Sequence, residues 1–258
     1  MRADRFCVVI ALANIWGSAV VQAARHPRFE PTDLEFADSG TLGFDLQVGL
    51  VRGPDASRIV VPDFELNVGL LSWLELDVDG ALGIEGHRPG PAFFDHASRD
   101  NLWLSAKLGL WDSRDPVTHH AWAFGIQAGP KIPIATDTEG LGFEALMLFG
   151  RAQGSQHLVA QVGALVDPFV GATPRPWGIE GGVDLEVLLD GRERWSLLGE
   201  IGAIVYGSSD DSQLVATAGI QYSATPMFDV SLVALIGVLE GSDRYGLLLG
   251  VSPQISLW

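Results

Sequence analysis

Phe44-Asp45-Leu46-Gln47-Val48-Gly49-Leu50 alternates apolar and polar side chains with a strict period of two. The alternation returns in Val60–Leu70 and again in Leu74–Ile84, where acidic residues recur at the polar positions. Because successive side chains of a β-strand point to opposite faces, each stretch is predicted to be a strand with one apolar face and one polar face. A polar face that is repeatedly acidic is more typical of a membrane barrel with a polar lumen than of a soluble sandwich.

The N-terminus has the features of a secretory signal peptide. Arg2 and Arg5 supply a positive region, residues 6–16 are mostly apolar, and Val21-Gln22-Ala23 offers small residues at the positions that a signal peptidase reads. The apolar run is too short to cross about 30 Å of hydrocarbon. We therefore predict cleavage of residues 1–23, which leaves a mature chain without cysteine and without disulfides.

Charge and hydropathy limit the classes of function. With the signal peptide removed, Lys+Arg falls from 16 to 14 and Asp+Glu from 32 to 31, giving a net charge of −17. So acidic a chain lacks the basic surface that nucleic-acid binding requires. The mean hydropathy of +0.23 is high for an exported protein that has no later apolar run of about 18 residues. Barrel strands explain both properties, because only alternate residues of each strand face lipid.

Alternation and turn residues together predict about twelve strands, an even number as in bacterial single-chain barrels. Most are close to the roughly 9–11 residues that a tilted strand needs to cross a bilayer. An even count also places both termini at one end of the barrel, the periplasmic end. The predicted strands are 43–51, 59–70, 74–84, 102–111, 121–134, 142–151, 157–166, 177–189, 195–206, 213–223, 227–239 and 245–257.

The mature chain is predicted to have two parts. Residues 24–38 are polar and contain Pro27 and Pro31, so we expect an irregular periplasmic arm or plug. Residues 39–258 are predicted to form one all-β domain, a closed antiparallel transmembrane β-barrel. We expect it to lie in the outer membrane of a Gram-negative-type bacterium. Its expected partners are outer-membrane lipids, the barrel-assembly machinery and small solutes.

The polar faces of the strands predict the residues that line the lumen. Two carboxylates about 5 Å apart repel by about 0.8 kcal/mol in water and by about 3 kcal/mol at an effective dielectric near 20. So many acids favour a lumen that holds water and cations. In the alternative interpretation, loop arginines such as Arg52 and Arg244 pair with the acids and plug a narrow barrel. Besides Asp45 and Gln47, the predicted lumen-lining residues are Asp63, Glu65, Glu75, Asp77, Asp79, Lys107, Gln127, Lys131, Glu144, Gln161, Glu180, Asp184, Glu186, Glu200 and Asp229.

Aromatic residues are predicted to form girdles at both ends of the strands, since rings with a polar handle collect at membrane interfaces. Trp258 supplies a terminal aromatic residue, but Leu257 and Ile255 do not share its parity. Pro253 is predicted to mark a bulge that shifts the register, because proline cannot donate to the ladder. The predicted outer girdle is Trp103, Phe143, Trp177, Tyr206 and Tyr245, and the inner girdle is Trp73, Trp122, Phe149, Trp195, Tyr222 and Phe228.

Several short motifs resemble one family of outer-membrane barrels. The hairpin Pro62–Leu76, with a Gly-Leu turn followed by an aromatic residue and Leu-Glu-Leu, is similar to that of the barrels associated with the meta-pathway of phenol degradation. Lys131–Thr136 resembles that family's Leu-Pro-Thr-Gly strand ending, without the glycine. Leu198–Ile201 and the hairpin 218–230 resemble its C-terminal half. The resemblance implies a porin-like transporter of small molecules, including aromatic ones.

The sequence therefore predicts a channel for passive passage of small solutes, either cations or small aromatic compounds, and not an enzyme. A structural barrel with a plugged lumen is the main alternative. An outer-membrane lipid hydrolase is a weaker one, for which His157 with Ser196 or Ser231 is the only candidate set. No cofactor and no metal site is predicted, because acidic loop tips such as Asp137–Glu139 are typical of solvated turns.

Overall fold

The computed structural model describes residues 36–53, 57–86, 96–99, 102–115, 120–134, 138–170, 177–191, 194–207, 212–239 and 242–258. The predicted signal peptide and most of the predicted arm lie outside these residues. No helix in the described ranges is long and apolar enough to span a membrane.

Twelve long strands form the described framework. Each begins and ends within four residues of its predicted bounds, and the largest difference is at β4, which continues to Asp115 instead of ending at Trp111. The added residues are polar and pair with the start of the next strand, so hydropathy alone gives no sign of them. The strands are β1 Thr41–Arg52, β2 Ser57–Leu71, β3 Leu74–Gly86, β4 Leu102–Asp115, β5 His120–Ile132, β6 Gly142–Gln153, β7 Gln156–Val166, β8 Trp177–Leu188, β9 Trp195–Tyr206, β10 Gln213–Thr225, β11 Phe228–Gly237 and β12 Tyr245–Ser256.

The sheet closes on itself. Every strand pairs antiparallel with its neighbours in sequence, and β12 pairs antiparallel with β1, so no long strand has a free edge. Two short pairings lie in the connections between long strands: His96–Arg99 pairs antiparallel with residues 82–85 of β3, and Thr138–Glu139 pairs with Phe169–Val170. The predicted fold class, a closed antiparallel barrel of twelve strands, is confirmed.

Both ends of the chain meet at one end of the barrel, here called the terminal end. The amide of Leu257 donates to the carbonyl oxygen of Gly40 (2.6 Å), and the amide of Gly40 donates to Gly69 O (2.8 Å) at the end of β2. The short connections, such as residues 72–73 and 154–155, lie at this end. The opposite end, here called the loop end, carries the longer connections.

The outer face of the barrel is apolar and the inner face is largely polar. Leu76, Val183, Ile201 and Leu232 are all exposed, whereas the adjacent Glu75 has no exposed surface. A water-soluble protein buries its apolar face and exposes its charged one. The reversed arrangement requires an apolar surrounding, as a transmembrane barrel has.

Exposed aromatic rings encircle the barrel at both ends. At the terminal end, Trp122 packs against Phe149 with ring centres 5.4 Å apart, and Trp195 packs against Tyr222 at 4.7 Å. Phe143, Trp177 and Tyr245 are exposed near the loop end. The prediction that Trp103 and Tyr206 belong to the outer girdle is wrong. Trp103 is buried inside the barrel, and Tyr206 turns inward to an acidic partner.

The predicted bulge at Pro253 is also wrong. Pro253 pairs with Phe228 in an unbroken register that continues through Ser252 and Val251. Leu249, Ile255 and Leu257 are exposed with the parity of the lipid face. Trp258 follows the last strand, so its parity does not conflict with theirs.

Candidate functional site

A cavity of about 470 Å³ extends inside the barrel from its middle towards the loop end. Inward parity on β1, β2, β3, β6, β8 and β9 supplies most of its acidic wall. Among the described residues that line it are nine carboxylates and one ammonium group, that of Lys131. The carboxylates belong to Asp45, Asp63, Glu65, Asp79, Glu144, Asp167, Glu180, Glu200 and Asp243.

Lys131 is the centre of a charged cluster in this cavity. Its Nζ lies 2.9 Å from Glu144 Oε2 and 2.8 Å from Asp167 Oδ1. The hydroxyl of Tyr206 donates to the other oxygen of Asp167 (2.6 Å). Glu180 is buried on the same side, and its Oε1 accepts no hydrogen bond from the described residues. The cluster therefore leaves a net negative charge facing the cavity.

An apolar wall lies opposite this cluster. Val51, Val60 and Leu248 line the cavity and pack together, with Leu235 against them. They come from β1, β2, β12 and β11. In a closed barrel of twelve strands, the strand six places away lies opposite. By this count β1 faces β7, β2 faces β8, β12 faces β6 and β11 faces β5. The cavity thus has an apolar patch opposite the Lys131 cluster, although Asp45, Asp63 and Glu65 also enter the cavity from β1 and β2.

The half of the barrel nearer the terminal end contains a polar network. Glu75 and Lys107 form an ion pair of 2.7 Å, and neither side chain is more than 1% exposed. Next to it, Nε2 of Gln127 donates to Asp77 Oδ2 (3.2 Å) and to Ser105 Oγ (2.7 Å). These groups come from β3, β4 and β5, which are adjacent strands. The side chains that form this network occupy space in the lumen that would otherwise be open.

The segment Phe36–Asp38, which precedes β1, lies against this network. The amide of Ala37 donates to Glu75 Oε2, and the ring of Phe36 lies 5.8 Å from Lys107 Nζ. Phe36 also packs against a buried apolar cluster inside the barrel, formed by Trp103, Leu146, Leu148 and Val159. Phe36 and Ala37 of the predicted arm are therefore inside the barrel, without regular secondary structure, whereas Asp38 is exposed.

Glycines make room for this segment. A Cβ at Gly69 would overlap the carbonyl oxygens of Ala37 and Asp38, and a Cβ at Gly109 would come within 3.2 Å of the Phe36 ring. Both glycines occupy inward positions, on β2 and β4. The absence of a side chain there is what allows Phe36 and Ala37 to enter.

The structure divides the predicted lumen-lining residues into two groups. One group lines the cavity and the other lies outside it. The group outside the cavity includes the buried residues Asp184, Asp229 and Glu186, and Oε2 of Glu186 lies 3.3 Å from His157 Nδ1. The cavity is lined by Asp63, Glu65, Asp79, Lys131, Glu144, Gln161, Glu180 and Glu200. Outside it are Glu75, Asp77, Lys107, Gln127, Asp184, Glu186 and Asp229.

Several residues of the site were not predicted to line the lumen. Trp103 and Tyr206 share the parity of Lys107 and Glu200, so alternation already indicated that they face inward. Their aromatic character suggested the lipid interface instead. Asp167 lies just beyond a strand, where parity gives no information about direction.

The described contacts give little support to the alternative interpretations, in which loop arginines plug the lumen or the barrel is a lipid hydrolase. In the contacts described, the guanidinium of Arg52 donates to Ser57 Oγ (3.1 Å) and that of Arg244 to the carbonyl oxygen of Leu239 (3.3 Å). The hydroxyls of Ser196 and Ser231 have no hydrogen-bond partner among the described residues, so neither is joined to His157. No group of three or more His, Cys, Asp or Glu suited to a metal ion occurs in the described ranges.

Comparison with known proteins gives structural relatives only. No protein-family model and no curated sequence matches the chain. An outer-membrane channel from Pseudomonas putida F1 is 14% identical, with 88% of this chain matched to 100% of the channel at a TM-score of 0.58. The NanC porin is 9% identical, with 82% of this chain matched to 100% of the porin at a TM-score of 0.60. The chain has the fold of an outer-membrane β-barrel.

Its structural neighbours are channels and porins, and the agreement with them extends over nearly the whole described barrel. At these identities the likeness establishes the fold alone. The resemblance to the barrels associated with phenol degradation stays a prediction. Any proposal about function therefore rests on the residues that line the lumen.

Proposed function

We propose that this outer-membrane barrel is a channel through which small solutes pass without a catalytic cycle. The observation that carries the proposal is the cavity of about 470 Å³ inside the barrel, lined by nine carboxylates and one lysine among the described residues. Acids of one sign are stable at this density where water and cations are present. A dry interior with a purely structural role would not explain so many carboxylates.

The charge of the cavity favours cations among the transported solutes. Like-signed walls raise the local concentration of counter-ions and repel ions of their own sign. Small aromatic compounds are the other class that the sequence resemblance implies. The Val51–Val60–Leu248 wall is the surface that an uncharged ring would contact.

A structural barrel with a plugged lumen is the second candidate, and one observation favours it. Phe36 and Ala37 occupy the half of the lumen nearer the terminal end, where they contact the Glu75–Lys107 pair. If this segment never leaves, solutes that enter the cavity cannot cross the barrel.

Planar-bilayer recordings of the purified mature protein test the proposal. A channel gives stepwise conductance whose reversal potential in a KCl gradient indicates cation preference. A plugged barrel gives none. An esterase assay on the same sample, with Ser196→Ala and Ser231→Ala as controls, tests the hydrolase alternative: serine-dependent hydrolysis without conductance would contradict the channel.

A further inference from the structure

Glu180 has an unusual position in the cavity. It is 7% exposed, it lines the cavity, and its Oε1 accepts no hydrogen bond from the described residues. The nearby carboxylates differ, because Glu144 and Asp167 both accept from Lys131. A buried carboxylate oxygen without a donor is costly, and a hydrogen bond from a cation is the interaction that best relieves it. The geometry thus favours a ligand with a charged donor group.

The other surfaces of the cavity match an organic body better than a bare ion. Trp103 is 5% exposed, lies in register between Asp79 and Lys131, and donates from Nε1 to the carbonyl oxygen of Gly129 (3.3 Å). That bond holds an indole ring at the cavity, and indole is the aromatic ring that attracts cations most strongly. The Val51–Val60–Leu248 wall of the same cavity offers apolar surface that an inorganic cation does not use.

We propose that the cavity is a binding site for small organic ammonium ions. The charged head donates to the Glu180 carboxylate in the cavity that Trp103 also lines, and the apolar body contacts the Val51–Val60–Leu248 wall. This inference rests on the proposed channel function and names the class of solute. The volume of about 470 Å³ lies in the usual range for small-molecule sites, about 300–1,000 Å³.

Isothermal titration calorimetry on the folded mature protein in detergent tests the chemistry of the ligand. Benzylammonium is the probe, benzyl alcohol has the same ring without the charge, and ammonium chloride has the charge without the ring. We expect measurable binding of benzylammonium and at least about tenfold weaker binding of the other two, because each lacks one of the two contacts. Equal affinity for benzylammonium and benzyl alcohol, or for benzylammonium and ammonium, would overturn the proposal.

A pair of isosteric variants tests the site. Glu180→Gln removes the charge in the cavity and is expected to weaken benzylammonium binding by about tenfold or more. Glu186→Gln makes the same change at a still more deeply buried glutamate outside the cavity and is expected to leave the affinity within about twofold. Heat-modifiable migration on a gel checks that both variants are folded. If Glu180→Gln does not fold, the three-ligand comparison on the unaltered protein still decides. Equal losses in both variants would contradict the assignment to Glu180.

Binding and conductance separate the two proposals. Cation-selective conductance without benzylammonium binding would leave the channel standing and overturn this site. Binding without conductance would support the site and contradict the channel.

Discussion

Glu75 and Lys107 are the most completely buried ion pair among the described contacts, and they also hold the segment before β1. Glu75 accepts from Lys107 on one oxygen and from the amide of Ala37 on the other. Removing both charges of a buried pair is often tolerated, whereas removing one leaves the other charge without its counterpart. Through these two hydrogen bonds, Glu75 on β3 is joined both to β4 and to the segment before β1.

Lys107→Met is expected to destabilise the barrel by about 3–5 kcal/mol, because the Glu75 carboxylate loses its charged donor. Urea unfolding in lipid vesicles, followed by tryptophan fluorescence, measures the change. The double variant Glu75→Gln with Lys107→Met is the control, since the glutamine oxygen still accepts from Ala37. It should recover most of the loss, and a double variant as unstable as the single one would show that the charge is not the cause.

On single strands, alternation decides which environment each side chain meets. In β10, Ile220 is exposed on the outer face, while Thr217 faces the cavity and donates to Glu200 (3.5 Å). Both lie near the middle of the strand. The strand thus offers a lipid-facing and a water-facing position at similar depth.

Ile220→Arg is expected to cost about 2–4 kcal/mol, the range for arginine on the lipid face near the bilayer midplane. Thr217→Arg on the same strand should cost much less, because its charge enters the acidic cavity. Unfolding in vesicles compares the two. Similar losses at both positions would argue against a lipid-facing outer surface.

Gly69 controls the position of the segment before β1, since a side chain there overlaps the carbonyl oxygens of Ala37 and Asp38. Gly69→Val is expected to displace Phe36 and Ala37 and to raise single-channel conductance several-fold. Gly191→Val is the matched control, because nothing lies within 4 Å of a Cβ at that turn. Unchanged conductance in folded Gly69→Val would mean that the segment does not limit flow.

Across the whole molecule, the distribution of charge is uneven. Nine carboxylates and one lysine line the cavity in the described part of the chain, whereas in the half nearer the terminal end Lys107 is paired with Glu75 at 2.7 Å. Asp63, Glu65 and Asp79 come from the adjacent strands β2 and β3 and make one acidic patch. Ion selection is therefore expected to be set in the cavity.

The triple variant Asp63→Asn, Glu65→Gln, Asp79→Asn is expected to lower cation preference, because three charges leave the cavity wall. Reversal potentials in a KCl gradient measure it. The preference of the unaltered protein should also weaken from 0.1 M to 1 M salt, as the screening length falls from about 10 Å to about 3 Å. A cation preference that is unchanged both in the triple variant and at 1 M salt would mean that ion selection occurs outside the cavity.

The sequence by itself determined the twelve strands, their approximate bounds and the face on which most side chains lie. These properties depend on a local period of two, which Phe44–Leu50 already displays. Where expectation about residue type replaced parity, as at Trp103 and Tyr206, the prediction was wrong. The prediction of a bulge at Pro253 was also wrong, because a proline on the outer face fits the strand without a shift in register.

Only the tertiary structure decided how the interior is divided. Parity states that Glu75 and Glu180 both face inward, but not that one meets Lys107 and Ala37 while the other borders a cavity. That difference depends on how much side-chain volume converges at each level of the barrel. Strands distant in sequence supply this volume, and closure of the sheet sets their register. The packing of Phe36 against the cluster of Trp103, Leu146, Leu148 and Val159 is likewise a product of closure, because no local pattern links those residues.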